Sequence, residues 1–408
     1  MTEQLSGCSV AQETFAREIA GVRKAVTGKL GFSKEEIDRA ETVLRSPASS
    51  SHADLAAAHV ALNAWRAAHQ IPTSFLRHFV GMRFVNFDID GFVVSRLKRV
   101  PTILGKIARQ SHYPLWEMQD VGGVRAVVDT PKEVRELVDL LLRFPMDGVF
   151  RLLEPPQDRM ANPKPSGYRS VHLIYAYERD TDPAAGEDES LDGLRVELQV
   201  RTRLQHAWAT ANEIVGTFRG EDLKSGQGDS DWLRFFTLAG AVIAKHEGLP
   251  VGGKVPQKPD ELAREFKAVR DRLQVFDTVS AYNVGFKFVK SPELADARFV
   301  LLKFSLPLRQ VRATSYLDDQ FGDALDDYAE AESQYREDPD TNIVLISVEK
   351  LADVEQAYPN YFVDTRVFLD TIYSRDEVDA IMAKSEKVVP PPEFNRADDH
   401  DEIDGISR

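Results

Sequence analysis

The chain has 408 residues, of which 43% are hydrophobic and 28% charged, a composition typical of a folded globular protein with room for two domains. Its formal net charge of −14 disfavours broad binding to nucleic acid or anionic membrane, so any phosphate site must be a local basic island. The single cysteine, Cys8, excludes an internal disulfide and a zinc cluster made of several cysteines. With no long apolar run and no signal-peptide pattern, the sequence predicts a cytoplasmic protein without membrane association.

The first 90 residues predict a helical N-terminal region. Apolar residues recur at helical spacing over 11–26 and 33–44, and Ser33 with Glu36 has the pattern of a capping box. An alanine-rich helix is predicted over 54–69, ending before Pro72. Packing is the expected role of this region, and the sequence assigns it no chemistry.

A basic segment follows, in which no acid separates the five charges Arg96, Lys98, Arg99, Lys106 and Arg109. Pro101 suits the first turn of a helix, which would place Lys106 one turn beyond Thr102 on the same face. In so acidic a chain, an all-basic segment is unusual for a solvated surface and favours phosphate binding. Arginine can also lie flat against a base.

An apolar run over 124–128, interrupted only by Arg125, predicts a buried strand with Asp120 at its head. Asp120 could cap a turn or hold a cation. Gly122 and Gly123 would allow close approach of a ligand or another backbone. An amphipathic helix is predicted next, with its inward face made of Val134, Leu137, Val138, Leu141 and Leu142.

Residues 163–175 predict a loop that enters a strand. Strand alternation places Tyr168, Ser170 and His172 on one face. Tyr168 offers a ring for stacking and His172 a polar group, although both residue types also serve packing. Lys164 and Gly167 precede them in an arrangement suited to phosphate. The acidic stretch 178–193 predicts a hairpin loop to the next strand.

Strict alternation over 195–201 predicts a strand with one face on a core. Its apolar face holds Val196, Leu198 and Val200, and its polar face holds Arg195, Glu197, Gln199 and Arg201. A carboxylate between guanidinium groups is either a solvated ladder or a phosphate-handling site. The predicted helix 202–218 follows, in which Trp208 is expected to pack and the role of His206 stays open.

Beyond a glycine-rich break at 220–230, the sequence predicts a smaller α+β domain over 230–385 and assigns it no chemistry. Its predicted helices cover 232–246, 262–284, 316–335 and 350–358, and its predicted strands cover 297–304, 311–315 and 342–348. The proline- and acid-rich stretch 386–408 predicts a disordered tail.

These features converge on phosphate chemistry. Asp120 and Glu197, on separate strands, could together hold Mg²⁺, which usually takes one or two carboxylates plus phosphate oxygens. The basic helix supplies charge for a triphosphate, and Tyr168 supplies a face for a base. Such a set suits phosphoryl or pyrophosphoryl transfer, where positioning and charge neutralisation dominate.

The segment 96–213 resembles the synthetase domain of the RelA/SpoT-type alarmone synthetases, because several spaced motifs occur in the right order. They are Arg96-x-Lys98 with Thr102-Ile103 and Lys106, then Asp120 with Gly123-x-Arg125, then Lys164-x-x-Gly167-Tyr168-x-Ser170-x-His172, and Glu197-x-Gln199-x-Arg201-Thr202 with His206. At the position of Thr102 the family usually has serine. Each motif is weak alone, whereas the ordered set is highly specific.

The resemblance implies an α+β fold with a nucleotidyltransferase-like mixed β-sheet flanked by helices over 91–219. It implies transfer of the β,γ-diphosphate of ATP to the ribose 3′-hydroxyl of GDP or GTP, which makes (p)ppGpp. By position, Asp120 and Glu197 would be the catalytic residues and the Mg²⁺ ligands, and Glu197 would also help deprotonate the 3′-hydroxyl. ATP would be bound by Arg96, Lys98, Lys106 and Arg125. The acceptor would be bound by Lys164, Tyr168, His172, Gln199 and Arg201, with Tyr168 stacking on guanine.

Two departures narrow the expectation to a synthetase-only member. The first 90 residues lack a His-Asp metal-hydrolase pattern, so no alarmone hydrolase activity is expected. The regulatory modules of the long ribosome-associated members are not recognisable. Further copies of this chain are expected partners, since many synthetase-only relatives assemble.

A third departure leaves the acceptor open, because Thr210 stands where the family often has an acid. A second hypothesis is therefore a toxin-type relative that pyrophosphorylates the tRNA 3′ end or makes adenosine alarmones. The net charge argues against a large RNA footprint, although Arg23, Lys24 and Lys29 could form a local patch. A third hypothesis is a catalytically silent nucleotide sensor, which would not need both Asp120 and Glu197.

Overall fold

A computed structural model describes the chain in two compact units. Unit 1 comprises Met1–Arg159 and Ser170–Arg203, and unit 2 comprises Met160–Arg169 and Leu204–Arg408. The described residues are 33–98, 100–109, 113–146, 148–178, 191–289, 296–305, 310–335, 338, 341–348, 361–383 and 393–396. Among them, no helix combines the length and apolar character needed to cross a membrane.

Unit 1 begins with three helices, α1 (Lys34–Arg45), α2 (His52–Ala68) and α3 (Gln70–Asn86). The predicted capping box at α1 is confirmed: the Ser33 hydroxyl accepts from the Glu36 amide at 3.3 Å, and the Glu36 carboxylate accepts from the Ser33 amide at 2.6 Å. Pro72 lies in the first turn of α3, where a missing amide hydrogen costs no helical bond. The helix predicted over 11–26 lies outside the described residues.

The sheet of unit 1 is mixed. Its strands are β1 (Phe92–Leu97), β2 (Gly122–Val128), β3 (Phe150–Leu152), β4 (Gln157–Asp158), β5 (Val171–Tyr177) and β6 (Arg195–Thr202). They lie in the order β1-β2-β6-β5-β3, and β4 also pairs with β5. The β2–β6 pair is parallel and the other pairs are antiparallel. Helix α4 (Val100–Arg109) follows β1 in the chain. Helices α3 and α5 (Pro131–Arg143) pack on the sheet, so the predicted α+β fold with a mixed, helix-flanked sheet is confirmed.

The helices of unit 1 pack closely on this sheet. A side-chain carbon at Gly122 would lie 2.1 Å from the Thr73 hydroxyl oxygen, so glycine lets α3 approach β2. Helix α5 buries Val134, Leu137, Val138 and Leu141. The prediction that Leu142 also points inward was wrong: Leu142 is 44% exposed, because it falls beside the buried stripe of the helix.

Unit 2 combines helices with a smaller sheet. Its helices are α6 (Arg203–Arg219, which starts in unit 1), α7 (Ser230–His246), α8 (Pro259–Arg272), α9 (Val275–Val289), α10 (Phe321–Gln334), α11 (Tyr361–Ile372) and α12 (Arg375–Ala383). Its strands are β7 (Phe299–Ser305), β8 (Gln310–Tyr316), β9 (Thr341–Ser347) and β10 (Glu393–Arg396). The sheet order is β10-β8-β7-β9, and only the β10–β8 pair is parallel within the described strands.

Unit 2 departs from the sequence prediction in two places. The single helix predicted over 262–284 is two helices, α8 and α9, because Gln274 between them adopts a φ of 46°. Residues 393–396 form β10 against β8, whereas the sequence predicts disorder over 386–408. The helix predicted over 350–358 lies outside the described residues.

Helix α6 lies in the core of unit 2. Its residues from Gln205 to Phe218 are buried except Glu213, as expected of a helix enclosed on all sides. The predicted packing role of Trp208 is confirmed, because its ring is 2% exposed and its Nε1 donates to the Phe236 carbonyl at 2.9 Å.

We predict that acid destabilises unit 1 through His69, which is 1% exposed between α2 and α3. Burial lowers the pKa of His69 to about 4, although the hydrogen bond with the Trp65 carbonyl raises it. In the unfolded chain, His69 therefore binds a proton as the pH falls below about 6.5, whereas in the folded chain it does so only near pH 4. Stability falls as the pH falls through this window. The loss should reach about 2 kcal/mol at pH 5.

Hydrogen exchange of the α2 and α3 amides, corrected for the intrinsic pH dependence of exchange, measures this loss. The matched variant His69→Gln keeps a polar side chain that does not titrate, and its stability should change less between pH 7 and pH 5. Equal acid sensitivity in the two proteins would show that His69 is not the responsible group.

Candidate functional site

The strand register of unit 1 aligns a row of residues on one sheet face. Arg96 on β1 lies opposite Gly123 on β2, and Gly123 lies opposite Glu197 on β6. Residues opposite one another in neighbouring strands share a face. Because Gly123 has no side chain, the space between Arg96 and Glu197 on that face is left open.

The next row brings further predicted site residues to the same face. Arg125 on β2 lies opposite Gln199 on β6, and Gln199 lies opposite His172 on β5. Since Glu197 and Gln199 are two residues apart on one strand, the two rows share a face. The alternation of β6 predicted from the sequence is thus observed, with Val196, Leu198 and Val200 fully buried on the other face.

Glu197 is held by two neighbours. The ring nitrogen Nδ1 of His172 lies 2.6 Å from Glu197 Oε1, and Gln199 Nε2 donates to Glu197 Oε2 at 2.7 Å. Burial raises the pKa of Glu197, but the charge and hydrogen bond of His172, together with the Gln199 bond, lower it to about 2. Glu197 is therefore a carboxylate at neutral pH, and its side chain is 14% exposed.

Asp120 is held between two lysines. Lys98 Nζ lies 2.8 Å from Asp120 Oδ2, and Lys106 Nζ on α4 lies 2.9 Å from Asp120 Oδ1. Burial raises the pKa of Asp120, but the two ammonium groups outweigh it and hold that pKa well below its usual range. Salt bridges thus connect two lysines of the basic segment to Asp120, the acid that precedes β2.

The negative charge of Asp120 raises the pKa of Glu197, in opposition to the effect of His172. A cation shared by the two groups would relieve this repulsion. No group of three or more His, Cys, Asp or Glu side chains in the described part of the chain is arranged to hold a metal. Mg²⁺ needs only one or two protein carboxylates beside water and substrate phosphates, so Asp120 and Glu197 suit a metal that arrives with a nucleotide.

The predicted arginine ligands differ in exposure. Arg96 is partly exposed on β1, whereas Arg125 is 2% exposed and Arg201 is fully buried. Buried guanidinium groups are normally held by several acceptors. Burial thus keeps Arg125 and Arg201 away from the surface, whereas the partly exposed Arg96 is accessible to a ligand.

Lys164 and Tyr168 belong to unit 2. Tyr168 precedes β5, which begins at Val171, so the prediction that the strand starts with Tyr168 was wrong. Its ring is 1% exposed and packs against Trp208, with the ring centroids 6.3 Å apart. The ammonium groups of Lys164 and Lys224 lie 5.5 Å and 5.1 Å from the centroid of the Tyr168 ring. This covered ring differs from the open stacking platform expected from the sequence.

Comparison with known proteins identifies the region that carries these residues. Residues 95–215 match the family model described as a region found in RelA / SpoT proteins. This chain carries a RelA/SpoT region. The family resemblance predicted from the spaced motifs is thereby confirmed.

Individual relatives are similar over the same stretch. GTP pyrophosphokinase YjbM of Bacillus subtilis is 37% identical over 122 residues, which cover 29% of this chain and 53% of YjbM. The uncharacterized protein Rv1366 of Mycobacterium tuberculosis is 29% identical over 137 residues, which cover 32% of this chain and 42% of Rv1366. The chain thus spans about half the length of the curated relatives it matches.

A solved structure of the small alarmone synthetase 1 from Bacillus subtilis is also similar to this chain. The superposition has a TM-score of 0.37 and 23% sequence identity. It covers 46% of this chain and 92% of that structure.

Two side chains near the motifs of the RelA/SpoT region were not predicted as site residues from the sequence. Lys224 lies in the stretch read as a glycine-rich break, and only its distance from Tyr168 in space marks it. Arg169 occupies an unassigned position within the Lys164–His172 motif, yet it is 3% exposed and bonded to distant carbonyls. His206, whose role was left open, forms a buried pair with Asp364, with Nε2 3.0 Å from Oδ2.

We predict that Asp120→Asn destabilises the RelA/SpoT region, because Lys98 is 8% exposed and would lose its carboxylate partner. The free energy of unfolding should fall by about 2 kcal/mol, less than for a fully buried pair because Asp120 is partly exposed. Adding Lys98→Met should recover most of this loss, since the second change removes the unpaired charge.

Urea unfolding of the wild type, the two single variants and the double variant gives the coupling energy. A double variant whose loss equals the sum of the single losses would show that Lys98 and Asp120 do not interact in solution.

Proposed function

We propose that this protein is an ATP-dependent pyrophosphokinase that transfers the β,γ-diphosphate of ATP to the ribose 3′-hydroxyl of GDP or GTP. The observation that carries the proposal is the set of contacts that holds two carboxylates within the segment matching the RelA/SpoT model: Asp120 lies between two lysines, and Glu197 is bonded to His172. Similarity to a relative named GTP pyrophosphokinase supports the reaction class.

In the proposed reaction, the acceptor 3′-oxygen forms a bond to the β-phosphorus of ATP. The bond between the β-phosphorus and the oxygen bridging to the α-phosphate breaks, AMP leaves, and the hydroxyl proton passes to a nearby base. Little covalent chemistry falls to the protein in such a transfer, so positioning and charge neutralisation carry most of the catalysis.

Asp120 and Glu197 would hold Mg²⁺ with the phosphates of ATP. The ion, when bound, neutralises charge on the phosphate oxygens and orients them. Lys98 and Lys106 face Asp120 from two directions, and Lys106 is 23% exposed. An exposed ammonium beside the metal ligand can bind a phosphate oxygen of the donor, whereas the buried Lys98 keeps Asp120 in place.

The environment of Glu197 supports a role in holding the cation more than a role as proton acceptor. A carboxylate with a pKa of about 2 is a weak base at neutral pH. His172 shares a hydrogen bond with Glu197 and lies on the same sheet face, so it fixes the orientation of this carboxylate.

The structure weakens the sequence argument for a different acceptor. Thr210, which stands where the family often has an acid, is fully buried, and its hydroxyl donates to the His206 carbonyl at 3.0 Å. The Thr210 hydroxyl also lies 3.5 Å from Asp364 Oδ2, so its partners are inside the protein. The basic patch suggested for tRNA, at Arg23, Lys24 and Lys29, lies outside the described residues.

Labelled ATP with Mg²⁺ and a panel of acceptors tests the proposal. The panel is GDP, GTP, an adenosine nucleotide and deacylated tRNA. Label on a guanosine nucleotide is the expected result. Label on tRNA or on the adenosine nucleotide would show that this molecule, and not a guanosine nucleotide, is the acceptor. ATP binding without any transfer would identify a nucleotide sensor.

We predict that Glu197→Gln lowers the transfer rate by about 100-fold or more, because the neutral amide cannot serve as an anionic ligand. ATP binding should stay within a few-fold of the wild type, since other groups contact the donor. The matched control is Glu178→Gln, which alters an exposed carboxylate paired with Arg151 at the other end of β5. Wild-type turnover in Glu197→Gln would remove Glu197 from the mechanism.

A second prediction concerns the metal. Chelation by EDTA should abolish transfer, and Asp120→Asn should raise the Mg²⁺ concentration needed for half-maximal rate by about tenfold, because one ligand charge is lost. Titration of Mg²⁺ at saturating ATP measures the shift. An unchanged Mg²⁺ dependence in a folded Asp120→Asn protein would contradict metal binding by Asp120.

A further inference from the structure

The loop that carries Lys164 and Tyr168 is fixed to helix α7 by the buried side chain of Arg169. Arg169 Nη1 donates to the carbonyl oxygens of Gly167 at 2.9 Å and Gly240 at 2.8 Å. Its Nη2 donates to the Pro250 carbonyl at 2.8 Å. One guanidinium therefore joins the loop, the middle of α7 and the segment that follows α7, all within unit 2.

A direct backbone contact reinforces this link. A side-chain carbon at Gly240 would lie 2.6 Å from the Gly167 carbonyl oxygen, and one at Gly167 would lie 2.9 Å from the Phe236 carbonyl oxygen. Gly167 also has a φ of +90°, which side-chain-bearing residues rarely adopt. The loop backbone thus lies on the α7 backbone with no room for an intervening side chain.

The Tyr168 ring is positioned by the same helix. Tyr168 packs against Trp208, and Trp208 donates to the Phe236 carbonyl of α7 at 2.9 Å. The Thr237 hydroxyl donates to the Pro165 carbonyl at 3.3 Å. The loop is therefore tied to α7 at Pro165, Gly167 and Arg169, on both sides of Tyr168.

The charge on Arg169 makes this arrangement specific. Burial lowers the pKa of Arg169 to about 10, with Glu247 acting in the opposite direction, so the group stays charged at neutral pH. A buried cation that donates to three backbone carbonyls through Nη1 and Nη2 holds those three chain segments at fixed distances. Apolar packing alone would tolerate small sliding movements between them.

We propose that Arg169 is a positioning residue for the acceptor: by holding the loop on α7, it fixes where the exposed side chain of Lys164 meets the guanosine nucleotide. The C-terminal unit is then the scaffold of the acceptor loop. This inference rests on the proposed function, and it adds a role for unit 2 that the sequence did not assign.

Two variants disturb the link from opposite sides. Arg169→Met removes the three hydrogen bonds at similar side-chain length, and Gly240→Ala pushes on the Gly167 carbonyl without removing a charge. Alanine otherwise stabilises a helix relative to glycine, so a defect in Gly240→Ala cannot come from a weaker α7. The control is Arg234→Met, which removes an α7 arginine bonded to Glu265 and to the Lys254 carbonyl.

Steady-state kinetics should show a KM for the guanosine nucleotide raised by about tenfold or more in both variants, with the KM for ATP within about twofold of the wild type. The Arg234→Met control should leave both constants unchanged. Melting curves identify any variant that fails to fold. If one variant fails to fold, the KM values of the other variant test the inference.

Unchanged acceptor constants in the folded variants would overturn the inference, as would an equal rise in the two KM values, which indicates general damage. Calorimetric binding of GDP separates this inference from the proposed function. If the wild type binds GDP but transfers nothing, the proposed reaction fails, and about tenfold weaker GDP binding by Arg169→Met still supports the positioning role. A wild type that does not bind GDP would overturn both.

Discussion

The register of β6 between β2 and β5 is the constraint on which the candidate site depends. Side chains alternate along a strand, so a slip of one residue would turn Glu197 and Gln199 into the core and bring Val196 and Leu198 to the site face. The full burial of Val196, Leu198 and Val200 opposes such a slip. Apolar burial on one face therefore fixes the position of the charged groups on the other.

Charge compensation then determines what this face can bind. Each of the two acids is satisfied by neighbours of complementary character: Asp120 by two ammonium groups, and Glu197 by a histidine and an amide. The groups are ionised yet mutually repelling, which suits a site that gains a cation and a polyanion together. In a chain of net charge −14, the two lysines beside Asp120 supply the local positive charge that the proposed phosphate site requires.

The sequence predicted those parts of the site that depend on local pattern. The alternation of β6, the Ser33 capping box and the helix that begins near Pro101 and carries Lys106 each arise from residues close together in the chain, and each is present in the structure. Spaced motifs also identified the RelA/SpoT region. The exposure of individual side chains could not be read in this way, and the buried rings and guanidiniums of Tyr168, Arg125 and Arg201 show the difference. Burial depends on which distant elements cover a residue.

Arg169 illustrates the same limit and explains why it matters for function. Its carbonyl partners at Gly240 and Pro250 are 71 and 81 residues away along the chain, so no local pattern distinguishes it from an exposed strand arginine. The chain leaves unit 1 after Arg159, returns at Ser170 and leaves again after Arg203. The motif from Lys164 to His172 is therefore divided between the units. Lys164 and Tyr168 take their positions from α7, whereas His172 takes its position from β5 and β6. A change in unit 2 can therefore alter the loop while Asp120 and Glu197 keep their neighbours, because none of the contacts that fix the two acids involves unit 2 in the described structure. If Lys164 binds the acceptor as proposed, a change in α7 would alter acceptor binding through this loop.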